Sequence, residues 1–166
     1  MSQNVNAFRG RSPSGWHDSA MARDAGHDEM QIAVYEHLRA LPSSPMTVNG
    51  KQFVVDQVFI EAPIMRGQMI VAWCDVLRTW KEDAQKYRPA RLFDMFEIKP
   101  AIHSVGAVIR QCQSLEIVAE STFLAGEAPG SVARAFPIVR AADPKLSLLR
   151  RGWGGGVLVW DGGTLS

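Results

Sequence analysis

The nine residues RLFDMFEIK, 91–99, constrain this chain more than any other stretch. They are apolar and aromatic and run into Pro100, as a short buried strand does, yet they carry Glu97 and Lys99. Side chains alternate along an extended strand, so Glu97 and Lys99 share one face while Asp94, Phe96 and Ile98 share the other. Burying either charge without a partner is costly, so the fold must supply one. A divalent cation is an economical partner. Asp75, in the apolar run QMIVAWCDVLRTW, and Glu97 would supply hard oxygen ligands, with Lys99 beside the water such an ion activates. Mg²⁺ suits two carboxylates, because it keeps several waters of its own. Taken singly, Glu-x-Lys is a common surface tripeptide and a lone Asp ending an apolar run is a strand terminator. Order along the chain is what gives them weight.

Hydrophobic periodicity then lays out the rest. Residues 1–27 are rich in Ser, Gly, Asn, Asp and Arg without helical or strand period, and they read as a mobile tail ahead of a single domain over 28–166. Met30, Val34, Leu38 and Leu41 recur at helical spacing, with Asp28 as N-cap and Pro42 as terminator. Asn49-Gly50 is a hairpin dipeptide leading into a β-branched, aromatic strand over Phe53–Ile60 that ends at Pro63. Residues 68–80 fit a helix lined by Met69, Trp73, Val76 and Trp80, and equally a central strand covered on both faces. After the polar connection 81–89 and the strand 91–99, Val105, Val108, Ile109, Cys112 and Leu115 mark a helix over 103–115. The spacing predicts strands at 116–123 and 132–141, with Pro137 placing the second at an edge or bulge. A short helix follows, with Asp143 as cap and Gly152 as its end, and then a last strand in GGGVLVWDGG. The expectation is an α/β fold, a mixed central β-sheet flanked by helices.

Composition excludes several classes. The 166 residues suffice for a core without disulfides, and a net charge of +1 rules out a basic coat over the whole surface. There is no apolar run long enough for a transmembrane helix and no continuous apolar segment near the N-terminus, so neither a membrane partner nor a secretory signal is expected. Cys74 and Cys112 lie in apolar surroundings and read as reduced residues of a cytoplasmic protein. The four histidines lack zinc-ligand spacing, and no Walker A, GxSxG or GxGxxG loop is present. Charge is nonetheless uneven. Residues 86–152 hold ten Lys and Arg against six acids, so a local phosphate-binding face is available there, with Arg88, Arg91, Arg110 and Arg134 as candidates.

Taken in order, VAWCDVL, MFEIKPA, IHSVGAVIRQCQSLE and FPIVRAADPKLSLLRRGWGGGVLVWDGG resemble the PD-(D/E)xK nuclease superfamily, the restriction-endonuclease-like fold, over about 28–163. The resemblance implies a metal-dependent DNA endonuclease that hydrolyses phosphodiester bonds with an activated water. It assigns the metal, Mg²⁺ or Mn²⁺, to Asp75, Glu97 and the carbonyl of Ile98. It gives Lys99 the task of orienting water or sharing phosphate charge, and Gln111 or Gln113 that of reaching the site from the following helix. Family members often place a Glu on the first helix, where Glu29 and Glu36 stand opposite the apolar stripe. Asp75 follows Cys74, where the family more often has Pro or Ala. DNA is the implied partner, and cutting both strands commonly calls for a homodimer.

Two other classes fit parts of the chain. Residues 104–141 read as a winged-helix DNA-binding unit, with 104–115 as recognition helix and two strands joined by a wing. That version puts Arg110 and Gln113 in the major groove and leaves the strands at 53–60 and 91–99 without a role. The third reading is an inactive nuclease fold kept as a binding or assembly module. The first two separate on whether 69–77 and 92–99 pair as strands.

Overall fold

A computed structural model describes residues 26–41 and 44–166. Its elements are α1 (His27–Ala40), β1 (Met46–Val48), β2 (Lys51–Arg66), β3 (Met69–Glu82), β4 (Arg91–Lys99), α2 (Val105–Ser121), β5 (Val132–Arg140), α3 (Leu146–Gly152) and β6 (Leu158–Trp160). The expected tail lies outside the described residues except for its last two, Gly26 and His27, and Pro42 lies outside them as well. The fold is α/β, with one six-stranded mixed sheet in the order β1-β2-β3-β4-β5-β6. The first four strands are antiparallel neighbours, and β5 and β6 are added in parallel.

Local signals account for most boundaries. Asn49 and Gly50 take φ of 49° and 78°, the left-handed pair that closes a two-residue hairpin between β1 and β2. Residues 91–99 form β4 as expected, and 69–82, undecided by periodicity, form β3 and pair with β4 over Val76–Lys81. Helix α1 begins two residues earlier than Asp28 as N-cap suggests. Gly26 is its N-cap with φ of 80°, and Asp28 lies inside the first acidic turn.

Four expectations fail for identifiable reasons. The strand expected at 116–123 does not form, because residues 116–121 continue α2. Its buried stripe runs on from Val108, Cys112 and Leu115 to Ala119, and the Glu116 carboxylate accepts the Ala135 N–H at 3.0 Å, tying the helix to β5. With no strand there, the two-stranded wing of the winged-helix reading is not built. β2 runs through Pro63 to Arg66, since β1 covers only Lys51–Phe53 and the outer edge of β2 beyond them has no strand to hydrogen-bond. β3 is doubly covered only in its second half, because Met69 and Ile70 at the hairpin tip are exposed. Asp143 accepts the backbone N–H groups of Ile102 and Lys145 instead of capping α3, whose N-cap is Lys145. Pro137 precedes the segment of β5 that pairs with β6, so its missing N–H disturbs no β6 pairing.

Helix α1 covers one face of the sheet with Met30, Val34, Tyr35 and Leu38 over Val58, Ile60, Val76, Phe96 and Ile98. The opposite face packs Ala62, Ile64, Cys74, Leu77, Phe93 and Met95 under α2 and α3. Val76 and Cys74 are two residues apart and so should share a face, yet they do not. Ile60 and Ala62, their partners on β2, are divided in the same way. The ribbon therefore rolls over between these rows, at Asp75 on β3 and Glu61 on β2. Glu61 carries φ of 51°, an uncommon value for a residue with a side chain.

Asp94, fully buried on the α1-facing side, is the electrostatic anchor of the sheet. One oxygen accepts Trp80 Nε1 at 2.7 Å and Arg78 at 3.2 and 3.3 Å, and the other accepts Arg134 at 2.7 and 2.9 Å. The guanidinium of Arg78 also lies over Trp80 and Phe96, at 4.8 and 5.3 Å from their ring centroids. Burial lowers the pKa of Arg78 while Asp94 opposes that shift. Asp94→Ala would leave two guanidinium groups facing an apolar sheet, so urea denaturation should show a loss of roughly 3–5 kcal/mol. A loss within the usual range of surface substitutions would show that the arginines find other partners.

Candidate functional site

Asp75 occupies the point where β3 and β4 part. Their ladder ends at Val76 and Phe96, and the next step would set Asp75 opposite Glu97. Asp75 does not continue the ladder with its backbone. Its carboxylate Oδ2 instead accepts the N–H of Ile98 at 2.8 Å, standing in for a strand carbonyl. The N–H and C=O of one strand residue point to the same edge. The Ile98 carbonyl is therefore turned toward the same seam as the Asp75 carboxylate.

Glu97 and Lys99 project from the other side of β4, toward α2, as alternation requires. Glu97 is buried and Lys99 half-buried. Cys74 is held well above the usual thiol range, first by burial and then by the negative charges of Glu97 and Asp75. Cys112 on α2 is pushed up to about 12 by burial, with Glu97 raising it further and Lys99 lowering it. Both carboxylates thus act on one sulfur, and Glu97 and Lys99 act together on the other. The structure seats the Asp75 carboxylate on the Ile98 peptide, with Glu97 at the next register step of β4 and Lys99 on the same face of that strand as Glu97.

The remaining expected residues divide by position. Gln111 and Gln113 are exposed on α2, flanking the inward-facing Cys112. Arg110 is exposed on the same helix. Arg134 is committed to Asp94. Arg88 donates to the Gly126 carbonyl, and Arg91 pairs with Asp56 at 3.1 Å and lies over Phe93. Arg91 stands at the opposite end of β4 from Lys99, roughly 25 Å away along an extended strand. Arg88 and Arg91 therefore form no common surface with the carboxylates.

From α1, the residues facing the seam are His27 and Gln31, not Glu29 or Glu36, which are exposed. His27 Nε2 lies 3.3 Å from Asp75 Oδ2, and its Nδ1 lies 3.3 Å from Asp28. Gln31 donates to the Asp75 carbonyl at 2.9 Å. Their spacing of four residues puts both on one helix face. That spacing is the only signal in the sequence that could have found them, and nothing in it says which strand residue they meet. Glu61 was missed too. It is buried on β2, opposite Asp75 of β3, because its neighbours Ile60 and Ala62 pair with Val76 and Cys74.

Among the described residues no three His, Cys, Asp or Glu side chains are placed together to hold a metal ion. The seam has the Asp75 carboxylate and the Ile98 carbonyl, with the Glu97 carboxylate one register step on. These are hard oxygen donors of the number that Mg²⁺ takes from a protein when water and phosphate complete its shell. No protein-family model matches the chain, and neither curated proteins nor solved structures gave a match.

Buried, raised thiols are poor nucleophiles because the thiolate is the reactive form. In the folded protein at mildly alkaline pH, iodoacetamide should leave Cys74 and Cys112 unlabelled, and both should react once denatured. Labelling of the native protein at the rate of a free thiol would contradict the burial of this seam.

Proposed function

We propose that this protein is a metal-dependent DNA endonuclease with the restriction-endonuclease-like arrangement of helix, three antiparallel strands, helix and parallel strand. One observation carries the reading. The Asp75 carboxylate sits against the Ile98 peptide at the parting of β3 and β4, in register with Glu97 on the strand that also bears Lys99. In this reading Asp75, Glu97 and the Ile98 carbonyl would hold Mg²⁺ or Mn²⁺, which would supply Lewis-acid activation of water and charge stabilisation at the phosphate. Lys99, on the same face as Glu97, orients the attacking water or neutralises a phosphate oxygen. Gln111 would reach the same centre from α2, and Arg110 is available for the phosphate backbone because no acid among the described residues claims it. Arg88, Arg91 and Arg134 contribute to DNA binding only where their present partners release them. A homodimer would supply a second site for cutting both strands. The two free cysteines support a cytoplasmic setting, and no described helix is long and apolar enough to cross a membrane.

Nicking of supercoiled plasmid tests the reading. With Mg²⁺ or Mn²⁺ the wild type should convert it to open circle. Glu97→Ala and Lys99→Ala should each lose roughly 100-fold or more while still binding DNA. Equal background activity in all three proteins, with DNA binding that weakens steeply as salt rises, would replace this reading with a binding module on an inactive nuclease fold.

A further inference from the structure

Among the described residues Gln31 is one of four, with Tyr35, Thr79 and Arg91, that keep a buried side-chain polar atom without a hydrogen-bond partner. It is fully buried, and its amide oxygen Oε1 has no hydrogen-bond partner. Only the NH₂ end of the amide can face a carbonyl, so the bond to the Asp75 carbonyl at 2.9 Å fixes the amide's orientation and leaves Oε1 on the other side. An apolar residue of the same size would remove the orphaned acceptor, which ordinarily destabilises a core. What such a residue could not do is hold the peptide of Asp75. That peptide needs holding, because it lies where the β2–β3 ribbon rolls over and where the β3–β4 ladder has ended. One turn earlier on α1, His27 reaches the carboxylate of the same residue at 3.3 Å.

We propose that Gln31 is a positioning residue. By holding the main-chain carbonyl of Asp75 from α1, it sets the carboxylate against the Ile98 N–H and toward the Glu97 seam. The proposal rests on the nuclease reading for its purpose, but the clasp itself is a matter of geometry. Helix α1 grips Asp75 on both sides of its Cα, with His27 on the side chain and Gln31 on the backbone. The rotamer of Asp75 is then decided by a helix docked across the sheet. A misplacement of about 1 Å in a metal-binding carboxylate is enough to cost much of its activity.

The Ile98 amide reports on this directly, because its acceptor is the carboxylate that Gln31 is argued to place. Amide hydrogen exchange should be compared in wild type, Gln31→Met and Gln31→Glu. Met keeps the volume without a donor, and Glu keeps the shape and, at a pH high enough to ionise it, faces the Asp75 carbonyl with oxygens only. In both variants Ile98 exchange should accelerate about 10-fold or more, while Phe96 and Asp94 inside the paired ladder stay within about 2-fold of wild type. Uniform acceleration along β4, or an unchanged Ile98, would show a merely structural glutamine and overturn the proposal. If Gln31→Met does not fold, Gln31→Glu reads the same bond.

Calorimetric titration with Mn²⁺ forms the second arm. Both variants should bind at least 5-fold more weakly than wild type. Tighter binding by Gln31→Glu would overturn positioning in favour of direct ligation from this place on α1. A wild type that binds no Mn²⁺, but whose Ile98 amide still responds to Gln31, would retire the nuclease reading and leave the clasp standing.

Discussion

The hydrogen bond from the Ile98 N–H to the Asp75 carboxylate is the joint on which the arrangement turns. A side chain takes the place of a backbone carbonyl there, so β3 and β4 stay together for one step after their ladder has ended. That step lets the β2–β3 ribbon roll over, sending Ala62 and Cys74 under α2 while Ile60 and Val76 stay under α1. Both hydrophobic layers depend on the roll. Without it, one side of the ribbon would turn its apolar residues to solvent, since a change of face moves every side chain at once.

The sheet buries acids in two different ways, and the contrast separates structure from candidate chemistry. Asp94 is satisfied to saturation by Trp80, Arg78 and Arg134, and the two guanidinium groups are themselves packed over aromatic rings. Such a carboxylate has no capacity left for a ligand. Asp75 accepts one backbone N–H and faces an imidazole, one register step from Glu97 on the neighbouring strand. Two aspartates on neighbouring strands are therefore satisfied very differently, Asp94 by three side chains and Asp75 by a backbone N–H and an imidazole. Only the number and identity of their donors tells them apart.

Much of the architecture could be read from local chemistry. The Asn49-Gly50 turn needs two residues at positive φ and has the pair that adopts it most readily. RLFDMFEIK forms a strand from Arg91 to Lys99, with Glu97 and Lys99 on one face as alternation demands. The misreadings have a common cause, which is that partners distant in sequence outvoted the local signal. EIVAESTF has a strand's composition, but the stripe from Val108 to Ala119 and the tie from Glu116 to β5 hold it helical. Pro63 reads as a strand end, but it lies on an edge with no neighbouring strand to hydrogen-bond. Arg134 reads as a phosphate ligand, but the acid that claims it lies forty residues earlier on the adjacent parallel strand.

The sequence by itself determined which residues could carry chemistry: a Glu and a Lys in a strand too apolar to hold them without a reason, and an Asp in the apolar stretch before it. Side-chain alternation and the cost of burying charge suffice for that, and both are local. Tertiary structure alone decided that His27 and Gln31 meet Asp75, that Glu61 stands across from it, and that Asp94 belongs to two arginines. These relations depend on which strand lies beside which and where a helix docks across them. Such placements follow from packing two hydrophobic faces at once, and no window of neighbouring residues contains them.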